Sequence, residues 1–399
     1  MQFLLEQARA VLPTVTELRR SIHREPELGL DVPLTQAKVL GSLQGLPLEI
    51  RLGQRTTSIT ADLRGAKPGP TLILRGDMDA LPLHEDTHVP FKSTFDGRMH
   101  ACGHDAHTAM LAGAARVLAQ HQADVAGVVR FMFQPGEEGY RGAVVMLEEG
   151  VLEPPHGGSA PVAAFALHAS PRWPAGQVLT RPGPVLASAD TFTIVVRGRG
   201  GHAAFPHLAA DPVPVACEIA MALHTMVTRS TNVFSPGVLT VGRIEAGTAA
   251  NIIPETATLH GTIRALSPET RATLVGGVAR VSRGVASAHG LEAVVRNEPD
   301  NPVTINDERF VEFVLDVGRE LLGAEHCLHQ PTPQLAGEDF SYLLERIPGA
   351  MIVLGTRPVG FEHSEAPHAH SNRYLFNEEA LPIGTAMYAA VALQYLNAS

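Results

Sequence analysis

The stretch TLILRGDMD, Thr71 to Asp79, is a short strand-like run with an apolar centre that leads into two aspartates. A run of this length fits a strand buried on both faces, as in the parallel sheets of α/β proteins. Two further runs follow the same grammar. VVRFMF (Val128 to Phe133) leads into Gln134, Pro135, Gly136, Glu137 and Glu138, and VAAFAL (Val162 to Leu167) leads into His168. TAMLAGAARVLAQ (Thr108 to Gln120) reads as the helix between the first two. The alternation predicts an α/β fold around a mostly parallel sheet. In such sheets the carboxyl ends of the strands line the binding crevice, so Asp77, Asp79, Glu137, Glu138 and His168 are expected on one rim.

Between Pro182 and Asp190 the pattern changes. TFTIVVRGR, VPVACEIAMALHTMV, GVLTVGRIEA, TATLHGTIRA, PETRATLVGGVARVSRGVASAHG and LEAVVRN follow as strand, helix, strand, strand, helix and strand. This βαββαβ order is that of a ferredoxin-like sheet with two helices on one face. The predicted organisation is an inserted domain at 187–298 within a discontinuous domain of 1–186 and 299–399. A helix from Asp307 to Leu322, the run AMIVLG and a helix from Ala380 to Leu396 return to the first domain.

A length of 399 residues with 45% hydrophobic and 18% charged is enough for a large core and too much for one ordinary domain. A net charge of −10 and the lack of any Lys/Arg run speak against a nucleic-acid partner. Cys102, Cys217 and Cys327 are far apart and odd in number, which implies no disulfide framework and fits a reducing, cytoplasmic setting. The last two sit in apolar or helical surroundings and read as packing residues. The first twenty residues read as an amphipathic helix rather than a signal peptide, and no apolar run approaches the roughly 20 residues of a bilayer span. No membrane partner is expected.

MHACGHDAHT (Met99 to Thr108) concentrates three histidines, a cysteine and an aspartate just ahead of a helix. A lone Cys or His is more often packed or solvated than a ligand, but donors this dense at the end of a strand system are a mixed S, N, O set. That set suits a divalent transition metal such as Zn, Mn, Co or Ni. Glu137 and Glu138 raise a mechanistic point. On an extended segment neighbouring side chains point in opposite directions, so one should ligate while the other faces substrate. A carboxylate beside an activated water can take its proton and pass it to a leaving amine, which is the logic of metal-assisted hydrolysis.

The motifs GDMDALP, HACGHDAHTAMLAGAA, FQPGEEG, ALH, GRGGHAAFPH, GTAANIIPE, GTIR and AGEDFSY occur in an order that resembles the M20 family of metallohydrolases. The resemblance covers nearly the whole chain. It is strongest to the amidohydrolase branch, which includes hippurate hydrolases, N-acyl-amino-acid amidohydrolases and auxin-conjugate hydrolases. The resemblance implies a catalytic α/β domain holding two divalent metal ions and an inserted lid domain through which two chains form a homodimer. It implies Cys102, His104, Glu138, His168 and His370 as metal ligands and Glu137 as general base. Asp79 then orients a ligand, and His202 helps polarise the scissile carbonyl. Asn251 and Arg264 bind substrate, the guanidinium being suited to a free carboxylate. The sequence departs from the family in two places. HAHSNRY stands where relatives show a His followed by Asn-Pro or Ser-Pro, which makes His368 a competitor of His370, and Asp31 stands where Glu is common. The implied reaction is attack of a metal-bound hydroxide on the amide of an N-acyl amino acid. A dipeptidase or carboxypeptidase on the same site is the alternative. A non-catalytic metal- or small-molecule-binding protein is a third reading, opposed by the presence of Glu137 beside Glu138, because storage or sensing needs no base.

Overall fold

The three apolar runs form adjacent strands, Lys67–Asp77, Ala126–Gln134 and Pro161–Ser170, in a computed structural model that describes residues 1–362 and 364–398. Lys67–Asp77 lies between the other two and runs parallel to both. Gly349–Gly355, a wholly buried GAMIVLG, adds a fourth parallel strand beside Pro161–Ser170. The eight-stranded sheet is mixed rather than parallel throughout. Leu48–Leu52 and Ile59–Arg64 form an antiparallel hairpin against Ala126–Gln134, while the short strands Val178–Thr180 and Cys327–His329 extend the opposite edge. The parallel centre aligns Asp77 with Gln134, so the acids that follow these strands share one rim.

Helix His104–Gln120 starts four residues earlier than its apolar pattern suggests, and it is buried on nearly every side. Its alanines and Gly113 allow close packing; a Cβ at Gly113 would come within 2.6 Å of Val15. Helix Gln2–Arg24 and the final helix Leu381–Ala398 pack against it. The final helix is apolar around its whole circumference, as a helix enclosed by protein must be. Helix Glu308–Leu322 is instead amphipathic, capped by the Asp307 carboxylate, which accepts from Phe310 N–H at 2.8 Å.

By its internal contacts the chain divides into one unit of Met1–Val185, Ile305–Thr332 and Tyr342 onward, and a second of Leu186–Thr304 and Pro333–Ser341. The second unit holds a four-stranded antiparallel sheet in the order Gly237–Ala246, Thr256–Ala265, Ser188–Arg197, Glu292–Asn301. Helices Pro212–Ser230 and Pro268–Ala288 complete the βαββαβ pattern. Each begins with proline behind a capping side chain, Asp211 accepting from Val213 N–H at 3.0 Å and Ser267 from Thr270 N–H at 3.1 Å. Phe192, Ile194 and Val196 point from the sheet into the helices, meeting Ile219, Leu223, Leu274 and Val278. No helix among the described residues is long and apolar enough to cross a membrane.

Candidate metal centre

Cys102 lies where three chain segments meet. Its Sγ is 3.4 Å from His168 Nε2, at the end of strand Pro161–Ser170. Possible ligand atoms of Cys102, His104 and His168 lie within 4.8 Å of one another, and so do those of Cys102, Glu138 and His370. The two triplets share only the sulfur, so the arrangement contains two adjacent candidate donor clusters with Cys102 in each. A third triplet, His104, Glu137 and Glu138, joins the two sides.

Local backbone explains why these donors converge. Gly103 has φ +95°, and a Cβ there would meet the Tyr374 hydroxyl at 2.8 Å, so only glycine turns the loop into the helix that begins with His104. His104 donates Nδ1–H to the Asp79 carbonyl at 2.9 Å. This leaves its buried Nε2 without a hydrogen bond, as a metal ligand requires. His168 likewise donates Nδ1–H to the Ala169 carbonyl at 2.8 Å, turning Nε2 to the sulfur. His370 takes the left-handed backbone conformation, φ +67°, anchored by its N–H on the Ala101 carbonyl at 2.8 Å; its Nε2 is 3.1 Å from Glu138 Oε1. His368 is exposed and joins no donor group among the described residues.

The expectation of an extended Glu137–Glu138 pair is corrected. The two residues form a turn after Gly136, whose φ is +74°. Asp79 makes that turn: its buried carboxylate accepts from Glu137 N–H at 2.9 Å and from Glu138 N–H at 3.0 Å. Both acids therefore face the His104 side instead of diverging. Asp79 thus acts on Glu137 and Glu138 with its side chain and on His104 with its main chain.

In the absence of metal, protons compensate the anionic donors. Burial opposes ionisation of Cys102, yet the neighbouring His168 and His104 hold its thiol down to about 6. Burial opposes the charged form of His168, but the charge and hydrogen bond of Cys102 together with the Asp77 charge outweigh it, and the imidazole is held at about 9. His370 is raised to about 10 by hydrogen bonds to Cys102 and Glu138. A cation at these donors competes with those protons, as metal ligation generally does. The unpaired His104 nitrogen, the thiolate and the carboxylate together fit a divalent transition metal.

Beneath the donors lies a charged layer. Asp105, one residue after His104, accepts from His23 Nδ1 at 2.8 Å and forms an ion pair with Arg19, whose Nε lies 2.8 Å away, and Arg19 also reaches Glu378 at 3.0 Å. His23 Nε2 is 3.3 Å from Glu85. Burial opposes the charged form of His23, but the Asp105 and Glu85 carboxylates outweigh it and raise the imidazole above its ordinary value. Its contribution to stability is therefore fully present below about pH 6.5 and is lost as pH rises through the folded-state value. His23→Gln is expected to cost about 3 kcal/mol at pH 6 and distinctly less in alkaline solution, read from urea unfolding at each pH. An equal cost at both ends of the range would contradict the charged assignment.

Of the other predicted residues, His202, Asn251 and Arg264 belong to the second unit. His202 and Asn251 are exposed and adjacent: strand Gly201–His202 pairs with Ile252–Ile253, and Ala203 N–H donates to the Asn251 carbonyl at 3.1 Å. Arg264 lies half-buried on strand Thr256–Ala265 and donates to the Ile263 carbonyl. The sequence reading gave no role to Asp77 and His107, whose side chains meet at 2.6 Å next to the donors. The three-residue spacing of His104 and His107 is a signal that both share one helix face.

Comparison with known proteins agrees with this arrangement. The model of peptidase family M20/M25/M40 matches residues 73–394. N-acetylcysteine deacetylase of Bacillus subtilis is 36% identical over 377 residues, covering 94% of this chain and 95% of that protein. Thermostable carboxypeptidase 2 of Saccharolobus solfataricus is 35% identical over 388 residues, covering 96% and 95%. The crystal structure of Bacillus subtilis YXEP protein, a dinuclear metal binding peptidase from the M20 family, matches with a TM-score of 0.84 and 32% identity over 98% of this chain and 99% of that one. With a donor set able to hold two metal ions, this chain belongs to the M20 peptidase family and is a metal-dependent hydrolase.

Proposed function

We propose that the protein cleaves the amide bond of N-acyl amino acids, releasing a carboxylic acid and a free amino acid. The observation that carries the reading is the pairing of a second buried carboxylate, Glu137, with the His104 and Glu138 donors. In this reading Cys102, His104, Glu138, His168 and His370 would hold two divalent ions. The bound ions would supply Lewis acidity and a water acidic enough to ionise near neutral pH. Glu137 takes the proton of the attacking water and delivers it to the departing amine nitrogen. Asp79 keeps Glu137 and Glu138 in register through their amides. His202 polarises the scissile carbonyl, and Asn251 and Arg264 hold the amino-acid portion, the guanidinium facing its carboxylate.

The deacetylase relative supports an acyl-amino-acid substrate, and the carboxypeptidase relative supports the second reading, a peptide substrate on the same centre. The test is hydrolysis of N-acetyl, N-benzoyl and indole-acetyl amino acids alongside dipeptides, by chelator-stripped protein resupplied with Mn, Co, Ni or Zn. Activity should vanish on stripping and return with metal, with the highest kcat/KM on an acyl amino acid. A large dipeptide advantage would overturn the substrate assignment in favour of the peptidase reading. The edge strand Gly237–Ala246, with Val238 and Ile244 exposed, supports a homodimer formed through the second unit, and a monomeric mass by light scattering would refute it.

A further inference from the structure

A chain of polar side chains, none of them accessible to solvent, runs beside the donor group and has no part in the proposed reaction. Gln134 Oε1 accepts from Arg75 Nε at 2.9 Å, Arg75 Nη1 donates to Asp77 Oδ2 at 2.5 Å, and Asp77 Oδ1 accepts from His107 Nδ1 at 2.6 Å. At the far end, the amide N–H of Ala169 donates to His107 Nε2 at 2.8 Å. That last bond settles the tautomer. A nitrogen that accepts an N–H carries no proton, so the proton of His107 lies on Nδ1, pointing at Asp77.

Asp77, His104 and His107 have donor atoms within 4.8 Å of one another, which would suit a further cation. The hydrogen bonds argue otherwise. His107 has its lone pair on the Ala169 amide and its proton on Asp77, and both Asp77 oxygens are engaged. The pair is occupied in holding something else.

Ala169 identifies what is held. Its amide is fixed by His107, and its carbonyl accepts from His168 Nδ1–H at 2.8 Å, the bond that directs His168 Nε2 at the Cys102 sulfur 3.4 Å away. The His107 ring also packs against the rings of His168, at 4.8 Å between centroids, and His104, at 5.4 Å. On the other side, Asp77 lies 3.7 Å from His104 Nε2, and its carbonyl accepts from the Thr108 hydroxyl at 2.5 Å, tying the strand end to the helix that carries His104.

We propose that Asp77 and His107 are positioning residues that orient His168 and His104 toward Cys102 before metal arrives. The inference rests on the ligand reading of those two histidines. Outer-shell partners of metal-bound histidines typically contribute about 10- to 100-fold to metal affinity.

The experiment is a Co(II) titration of chelator-stripped protein, followed by visible absorption and by competition with a chromophoric chelator. His107→Leu is expected to weaken Co(II) binding by about 10- to 100-fold and to shift the ligand-field bands. His107→Gln should recover most of the affinity, because a carboxamide can donate to Asp77 and accept from Ala169 N–H together. Asp77→Asn provides a second variant if His107→Leu does not fold, with the same loss expected. His168→Gln is the reference for loss of a ligand. A clear loss in His168→Gln with unchanged affinity and spectrum in His107→Leu, or in Asp77→Asn where His107→Leu does not fold, would overturn the positioning role alone. Unchanged affinity in His168→Gln would overturn the ligand reading and the proposal with it.

Discussion

Glu137→Gln is expected to lower kcat by about 10³-fold on whichever amide the protein hydrolyses, with its bound metal retained. Glutamine keeps the size of the side chain and the backbone N–H that Asp79 accepts, so the turn should persist. What disappears is a carboxylate able to carry a proton from water to the leaving amine. The contrasting variant is Glu138→Gln, which changes a donor shared with Cys102 and His370 and should reduce metal content as well as rate. Saturation kinetics combined with metal analysis on the same preparations distinguishes the two. Wild-type turnover in Glu137→Gln would remove this residue from the mechanism.

Asp79→Ala is expected to lose both stability and metal affinity, because one carboxylate accepts two successive amides at 2.9 and 3.0 Å. A buried donor left without a partner costs about 1–3 kcal/mol. Two of them put the expected destabilisation near 4 kcal/mol, measured by urea unfolding of the metal-free protein. Releasing the turn also frees the Glu138 carboxylate from its place beside His104, and a drop in affinity of about 10- to 100-fold should follow. The variant distinguishes a support from a mere neighbour. Wild-type stability together with wild-type affinity would show that the turn holds without Asp79.

The sequence was legible where chemistry and periodicity coincide. The strands that end in Asp77, Gln134 and Ser170 stand out because they are buried on both faces and followed by polar residues. The candidate donors drew notice because they follow these strand ends or crowd into MHACGHDAHT. Leu48–Leu52 was not, since LEIRL is largely exposed, and Val178–Thr180 and Cys327–His329 are too short to show a period. The start of helix His104–Gln120 was hidden because its first turn is written in donors rather than apolar residues. The Glu137–Glu138 turn escaped because its cause lies 58 residues away in Asp79. His107 was visible as a donor, but its occupation by Asp77 and the Ala169 amide depends on a strand pairing that no local pattern encodes.

The discontinuity of the first unit has a consequence in time. During synthesis, domains generally begin to fold from the N-terminal side while the rest is still being made. Here Cys102, His104, Glu138 and His168 leave the ribosome well before the unit can close, because residues 186–304 intervene and both His370 and the enclosed helix Leu381–Ala398 come last. Until that helix arrives, the apolar flank of helix His104–Gln120 lacks its cover. A nascent chain therefore presents the Cys102 thiol and the His104 and His168 imidazoles early, and His370, the last of the candidate donors, joins them only after nearly the whole polypeptide has emerged.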